Sequence, residues 1–220
     1  MSDVPDHDPT HGDARACAAI EQVIVPRGSD IGGFEVRRAL PSAGRRMIGL
    51  QLWAALPARE EECAPAFIHH EATELPHVEA EGKRIRLIMG AAYGVQSPVT
   101  FPHPALYAEA ILAPGMMLPL DADYEERAIF TVSGEIEIAG DRFEPGRLLV
   151  FRPGDRISIQ ANTAARLMIL GGAPMDGKRH LWWNFVSSRK ERIDQAKSDW
   201  AAGRFNSVPG ETEFIPLPAR

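Results

Sequence analysis

Two side chains have the types and spacing needed to bind a transition metal. His69 and Glu71 are separated by one residue in the segment His69-His70-Glu71. On an extended strand, residues two apart face the same side, so both side chains could reach one ion. Imidazole and carboxylate groups are common ligands of iron, copper and zinc. None of the seven histidines forms a His-x-His pair, however, so this pair stands alone. We therefore predict no metal ligand and no catalytic residue in this chain.

An acidic stretch is the second candidate for ion binding, and it contains Asp121, Asp123, Glu125 and Glu126. Carboxylate oxygens suit calcium or magnesium, so a weak site for such a cation is one interpretation. The interpretation we favour is a solvated loop at the rim of a barrel. The remaining histidines are interpreted as loop, structural or leader residues: His7, His11, His77, His103 and His180.

Motifs for covalent catalysis or nucleotide binding are not found in the sequence. There is no strand–turn–helix nucleophile motif, no P-loop and no dinucleotide-binding glycine pattern. Gly171-Gly172 follows a strand pattern, but no helix signal follows it, which argues against a phosphate site. Ser187-Ser188 is interpreted as a helix cap rather than as a nucleophile.

The charge and composition exclude several classes of partner. The net charge of −6 and the pI of about 5.7 argue against nucleic acid or an anionic membrane as a partner. Cys17 and Cys63 are too few for a disulfide framework. No run approaches the roughly 20 apolar residues of a membrane helix, and the polar start does not resemble a secretory signal. We expect a cytoplasmic location.

Alternating apolar residues predict a series of short strands from Arg84 onward. Ile85 and Leu87 alternate with charged neighbours, and Ile136 and Ile138 do the same before a turn at Ala139-Gly140-Asp141. Glycine and proline separate these runs at regular intervals. Such a pattern is typical of an antiparallel barrel or jelly roll.

The pattern near the end of the chain changes from strand to helix. Ile193, Ala196 and Trp200 recur at helical spacing, which predicts one amphipathic helix over residues 188–202. Ser188 with Glu191 matches a capping box, and Gly203 is a plausible stop. We expect the helix to dock against the barrel through Ile193 and Trp200.

Several motifs resemble the pirin family, whose members are two cupin barrels in tandem. The resemblance covers 20–49 and 50–218, hence nearly all of the chain. The motifs that carry it are Gly33-Phe34-Glu35-Val36-Arg37-Arg38, Gln51-Leu52-Trp53-Ala54-Ala55-Leu56-Pro57, Phe143-Glu144-Pro145-Gly146, Trp182-Trp183-Asn184-Phe185-Val186-Ser187-Ser188 and Glu213-Phe214-Ile215-Pro216-Leu217-Pro218. The resemblance implies an all-β, cupin-type antiparallel barrel with residual N-terminal strands and a C-terminal amphipathic helix.

The same resemblance implies that the usual metal ligands are missing. Typical pirins hold one iron in the first barrel, and the stretch that carries its ligands would lie between Gly49 and Leu50, where this sequence has none. In the second barrel, Gly115 and Gly134 bound the first cupin motif. The two histidine positions then fall on Asp121 and Asp123, the glutamate position on Arg127 and the second-motif histidine on Ile157. Neither a guanidinium nor an isoleucine can ligate a cation.

Pattern and resemblance together divide the chain into five segments. The remaining N-terminal strands are too few to close a barrel, because closure requires matched strand number and register. The predicted segments are a flexible leader (1–18), a remnant of the N-terminal cupin domain (19–56), a linker (57–83), the C-terminal barrel (84–175) and a tail (176–220) that contains the helix.

We expect a pirin-like protein without the metal site, which acts as a binding or regulatory partner of another protein. The alternative is a metal-dependent quercetin 2,3-dioxygenase, the activity of some metal-bearing pirins, for which iron would be expected only with a complete site. A non-functional remnant is a third interpretation. Because an incomplete first barrel would uncover Trp182, Trp183 and Phe185, we also expect a homodimer or larger species formed through the tail.

Overall fold

The computed structural model of the protein describes residues 50, 52–120, 122–206 and 214–218. The predictions for the leader, for residues 19–49 and for Cys17 lie outside the described residues, and so do those for His7, His11 and Asp121.

The described residues form one 3₁₀ turn, fourteen strands and one α-helix. The turn is Ala58–Glu60. The strands are β1 His77–Ala80, β2 Lys83–Met89, β3 Ala91–Ala92, β4 Val95–Gln96, β5 Ala105–Leu112, β6 Met117–Leu120, β7 Glu126–Ser133, β8 Ile136–Ile138, β9 Asp141–Phe143, β10 Leu148–Phe151, β11 Ile157–Ala161, β12 Ala165–Gly172, β13 His180–Trp182 and β14 Phe185–Ser187, and the helix α1 is Lys190–Ala201.

Two compact units are present. The barrel unit contains His70–Pro174, and the tail unit contains residues 52–69 together with Met175 and the described residues that follow it. Strand β1 and the start of β2 fall inside the interval predicted as a linker, so strand structure begins earlier than the sequence pattern indicates.

The barrel unit is built from two antiparallel sheets. Six strands form the larger sheet in the order β1-β2-β5-β12-β7-β10, and four form the smaller sheet in the order β6-β11-β8-β9. The inner faces of both sheets share one apolar core, because every second residue of each strand points inward. Its members with no exposed surface include Ala108, Leu112, Ile129, Ile136, Ile159 and Leu167. The all-β, cupin-type barrel predicted from the sequence is confirmed.

Two local features of the barrel show where sequence patterns hold and where they fail. Ala139 and Gly140 both have positive φ, at 53° and 90°, and join β8 to β9 as a two-residue hairpin turn, as predicted. The alternation in β2, however, is interrupted by a register shift between Leu87 and Met89. This irregularity buries Ile88 and Met89 as consecutive residues.

The tail unit consists of the 3₁₀ turn, the β13–β14 hairpin and helix α1. Ile193 and Ala196 are buried against Phe185, and the half-buried Trp200 joins the same cluster. The predicted amphipathic helix is confirmed, but the cluster that receives its apolar face belongs to the tail itself. Gly203, with φ of 65°, ends the helix as expected.

The predicted capping box at the start of α1 is wrong. The N-cap position is Arg189, and no side chain caps the helix. The Ser188 hydroxyl instead donates to the carboxylate of Glu61 at 2.8 Å. A half-buried acceptor, distant in sequence, has therefore replaced the local partner that the sequence pattern indicated.

Within the described part of the chain, no helix is long and apolar enough to cross a membrane.

Candidate functional site

Arg127 lies inside the barrel at the position that the cupin motif gives to a carboxylate ligand. It stands on β7 opposite Phe151 of β10 and Gly171 of β12, and its neighbours two residues away on the inner face include Ile129. The residue is only 2% exposed, although its guanidinium carries a positive charge. A buried charge is costly unless hydrogen bonds compensate it, so its partners determine whether the site is stable.

The Arg127 guanidinium donates hydrogen bonds to main-chain carbonyl groups of both sheets. Nη1 donates to the carbonyl oxygen of Leu120 at 3.4 Å, and Nη2 donates to that of Arg152 at 3.2 Å. Leu120 ends β6 of the smaller sheet, whereas Arg152 follows β10 of the larger one. The guanidinium therefore joins the two sheets at one end of the barrel, where it serves as a structural cross-link.

The other described motif positions also lack the chemistry of a transition-metal site. Asp123 is exposed, and Ile157 packs at the margin of the apolar core. Gly134, which bounds the motif, has φ of 81°, and a Cβ there would lie 2.3 Å from the carbonyl oxygen of Ala164. The glycine is thus required by the backbone, and the turn that bounds the motif is present.

A cation does not fit the described residues. Among residues 52–120, 122–206 and 214–218, no three His, Cys, Asp or Glu side chains come together in a way that could hold a metal ion. A guanidinium offers donors only, so Arg127 repels a cation rather than binding it. The prediction that the barrel carries no metal ligand remains a proposal for the whole chain.

The histidines singled out in the sequence occupy separate places. His69 and Glu71 are exposed, and His70 lies 3.4 Å from the carboxylate of Glu74. A ring nitrogen of His103 is 2.9 Å from the carbonyl oxygen of Ala173. The exposed residues His77 and His180 lie in β1 and β13. His103 lies outside the strands, as interpreted from the sequence, whereas the interpretation of His77 as a loop residue is wrong, because it begins strand β1.

A buried ion pair on the outer face of the larger sheet was not found by sequence reasoning. Glu109 of β5 and Arg166 of β12 form an ion pair, with 4% and 8% of each residue exposed. Arg86 of β2 stands directly opposite Glu109. Burial raises the pKa of the Glu109 carboxyl, and the charges of Arg86 and Arg84 oppose that rise. Burial likewise lowers the pKa of Arg166.

Tyr107 lies two residues before Glu109 on the same outer face. It is buried, and this burial together with the Glu109 carboxylate raises the pKa of its phenol to about 12. Both effects disfavour the phenolate. The group is therefore neutral over the physiological pH range and offers no base for catalysis.

The carboxylate of Glu61 is the polar centre of the tail unit. It accepts hydrogen bonds from Arg179 Nε at 2.8 Å, the Ser188 amide at 2.8 Å and the Ser187 hydroxyl at 3.2 Å. Arg179 also donates to the carbonyl oxygen of Leu56 at 2.8 Å. These bonds hold the 3₁₀ segment against the β13–β14 hairpin and give Ser187 and Ser188 structural partners.

The tail aromatics pack against each other. Trp183 and Trp200 meet edge to face at 5.1 Å, and Phe185 and Phe205 stack at 5.8 Å. Lys197 Nζ lies 4.5 Å from the ring centre of Trp182. Phe185 is 1% exposed, so the expectation that it is uncovered is wrong, because the helix of the same unit supplies its partner surface.

Comparisons with known proteins agree with this architecture. Residues 107–206 match the model of the pirin C-terminal cupin domain. A crystal structure of quercetin 2,3-dioxygenase from Acinetobacter baumannii superposes with a TM-score of 0.68 at 24% identity, over 76% of this chain and 57% of that one. The fold is therefore that of a cupin.

Two curated relatives identify the family of the chain. A pirin-like protein of Caulobacter vibrioides is 41% identical over 216 residues, which are 95% of this chain and 74% of the relative. A protein of Pseudomonas aeruginosa, provisionally named quercetin 2,3-dioxygenase, is 34% identical over 70% of this chain and 49% of its own length. The chain belongs to the pirin family, and it spans between about half and three quarters of these relatives.

Proposed function

We propose that this chain is a pirin-family protein without the usual metal site, which acts as a binding or regulatory partner of another protein. For the C-terminal barrel, the observation that carries the proposal is the burial of Arg127; the iron of typical pirins lies in the first barrel, for which the support comes from the sequence. Where the cupin motif places a carboxylate ligand, the chain has a guanidinium bonded to the carbonyl groups of Leu120 and Arg152. This arrangement supports a barrel interior that serves as a structural core.

The amino-acid sequence adds independent support. The iron of typical pirins requires a His-x-His pair, and the seven histidines of this chain include none. By the resemblance, the stretch that carries this pair in typical pirins would lie between Gly49 and Leu50. The relatives above are longer than the part that this chain matches.

The second candidate function is a metal-dependent quercetin 2,3-dioxygenase. The names of two similar proteins favour it, one from Pseudomonas aeruginosa and one from Acinetobacter baumannii. Adding dioxygen to a flavonol couples a singlet molecule to a triplet one, which a bound transition metal makes possible. The described residues do not fit such a metal.

An aerobic quercetin assay tests the two functions against each other. The purified chain is incubated with quercetin alone and with added iron, nickel, copper or cobalt, and the flavonol absorbance is followed. The quercetin 2,3-dioxygenase of Acinetobacter baumannii is the positive control. We expect the chain to consume quercetin no faster than the metal salt alone. Metal-dependent turnover that disappears with chelator would overturn the proposal in favour of the enzyme.

The location, the partners and the oligomeric state of the protein remain predictions. We propose a cytoplasmic location and no direct binding to nucleic acid or membrane. Association through the tail to a homodimer also stays a prediction, although its premise is weakened by the burial of Phe185. Sedimentation velocity over a wide concentration range tests it, and a monomer throughout would rule it out.

A further inference from the structure

The middle of the larger sheet is buried on both of its faces. Ala108, Ala110 and Leu167 face the core of the barrel, so the residues that alternate with them on β5 and β12 face outward. Glu109 and Met168 stand opposite each other on this outer face. They are 4% and 2% exposed, although an antiparallel sheet commonly has one solvated face. Other residues of the protein therefore cover the outer face.

The covered part of the outer face has definite limits. Met89 of β2 and Tyr107 of β5 stand opposite each other and are both buried, and Arg166 of β12 is buried as well. At the β10 edge of the same face, Leu148 and Val150 are 59% and 74% exposed. The cover thus extends over β2, β5 and β12 and ends before β10.

The described strands of the barrel unit do not supply this cover. All of them belong to the two sheets or to the β3–β4 hairpin, which packs against the core. The described loop after β4 reaches one end of the covered area, where the Ser97 hydroxyl donates to the carbonyl oxygen of Ile88 at 2.7 Å. Within the barrel unit, no described helix or strand is therefore placed against Glu109 and Met168.

The charged side chains of the outer face have neighbours of opposite sign. Glu109 pairs with Arg166 and also stands opposite Arg86 of β2. Arg84 of β2 stands opposite Glu79 of β1. A covering segment therefore gains little from a charge of either sign. It gains most by removing the apolar side chains of this face from water.

The chain itself has an apolar segment next to the barrel. Leu50, the first described residue, belongs to the barrel unit, whereas residues 52–69 belong to the tail unit. The segment 19–49 thus joins the described chain at the barrel, and it contains the apolar runs Val23-Ile24-Val25 and Phe34-Glu35-Val36. Three strands about 4.8 Å apart are about 10 Å wide between their outer axes, which about four extended residues can cross. The segment is therefore long enough to cover β2, β5 and β12.

We propose that residues 19–49 of the same chain cover the outer face of the larger sheet over β2, β5 and β12. Apolar side chains of this segment pack on Met89, Tyr107 and Met168, and the cover keeps water from Glu109. The segment is then an integral part of the barrel unit, and the covered face is closed to a second copy of the chain. This inference does not depend on the proposed binding function.

A photo-cross-linker placed on the outer face identifies what covers it. Phe130 of β7 stands opposite Met168 and is half-buried, so Phe130→p-benzoylphenylalanine replaces one aromatic ring by another at the margin of the covered area. The matched control is Met117→p-benzoylphenylalanine, at an exposed position of β6 in the smaller sheet. The full chain is irradiated, digested with trypsin and analysed by mass spectrometry. We expect the Phe130 variant to give cross-linked peptides from residues 19–49 that the control lacks.

Mixing chains that carry light and heavy nitrogen isotopes separates the possible occupants. Cross-links confined to chains of one isotope support the proposal when they join position 130 to residues 19–49. Cross-links between a light and a heavy chain would show that a second copy covers the face, and would overturn the proposal. Cross-links to the tail unit, or none beyond those of the control, would overturn it equally.

Oxidation by hydrogen peroxide tests the cover in the unsubstituted protein. Met168 is 2% exposed and Met117 is 54% exposed. We expect the Met168 sulfur to oxidise at least about tenfold more slowly than that of Met117, because oxidation follows exposure. Peptide mass spectrometry over the course of the reaction measures both rates. Equal rates would mean that the outer face is open in solution, which would overturn the proposal whatever the cross-linking shows.

Discussion

The Arg127 guanidinium donates to the main-chain carbonyl oxygen of Arg152 at 3.2 Å, at the position where the general cupin motif has a metal-binding carboxylate. A second bond to the carbonyl of Leu120 extends the link to the other sheet. A positively charged side chain thus joins the two sheets at one end of the barrel.

Replacement of Arg127 tests this structural role. We expect Arg127→Met to lower the free energy of unfolding by about 2–3 kcal/mol, because the carbonyl groups of Leu120 and Arg152 lose a charged donor that methionine cannot replace. The matched control is Arg152→Met, whose side chain is 87% exposed and whose carbonyl group is retained. This control substitution should lower the free energy of unfolding by less than about 1 kcal/mol. Urea denaturation followed by circular dichroism measures both, and equal stability of the two variants would refute the cross-link.

Glu61 gives a corresponding test in the tail unit. We expect Glu61→Gln to lower the free energy of unfolding by about 2–3 kcal/mol, since one carboxylate accepts bonds from Arg179, Ser187 and Ser188. All four tryptophans belong to the tail unit, so tryptophan fluorescence reports its unfolding. Glu62→Gln, at an exposed neighbour, is the control and should change stability by less than about 1 kcal/mol. A Glu61 variant as stable as this control would contradict the network.

The raised pKa of Tyr107 predicts a loss of stability at alkaline pH. Its pKa is about 12 in the folded chain against 10.0 for an ordinary phenol. Below pH 10 both states hold the neutral phenol, but between pH 10 and 12 the unfolded chain releases the proton first. Unfolding therefore becomes more favourable as pH rises through this window.

Absorbance of the phenolate at alkaline pH measures this effect. We expect Tyr107→Phe to remove the latest-ionising component of the titration and to flatten the decline in stability. Tyr93→Phe is the control and should leave that component in place. A titration in which Tyr107→Phe changes nothing above pH 10 would disprove the shift.

The turn between β8 and β9 allows a stabilising substitution. Ala139 has φ of 53°, which an alanine adopts at a cost, whereas asparagine and glycine accept it readily. Ala139→Asn should therefore raise the free energy of unfolding by about 0.5–1 kcal/mol. Asp141→Asn, in strand β9 beside the turn, should produce no comparable gain. A destabilised Ala139→Asn chain would mean that the turn does not have this geometry in solution.

The features predictable from sequence are those that depend on local spacing. The Ala139-Gly140 turn and the helix with Ile193 and Ala196 follow from residues a few positions apart, and the barrel follows from repeated alternation. Bonds between distant segments could not be predicted in this way. Glu61 accepts from Ser188, 127 residues away, and this partner displaced the capping box that local spacing indicated.

The same distinction between local spacing and distant contacts applies to the candidate site. The sequence predicts that Arg127 and Ile157 occupy ligand positions of the cupin motif, because the glycines of the motif fix its spacing. The burial of Glu109 with Arg166 was not visible, because a charged residue in an alternating strand usually indicates a solvated face. Only the pairing of β5 with β12 brings the two charges together.

Elemental mass spectrometry of the metal content tests the central claim most directly. Tag-free protein is purified aerobically, dialysed without chelator and measured beside a His69→Ala, Glu71→Ala variant. The account predicts iron, copper, nickel and zinc well below one atom per chain in both preparations. One transition-metal atom per wild-type chain would contradict it, and loss of that atom from the variant would place the site at His69 and Glu71.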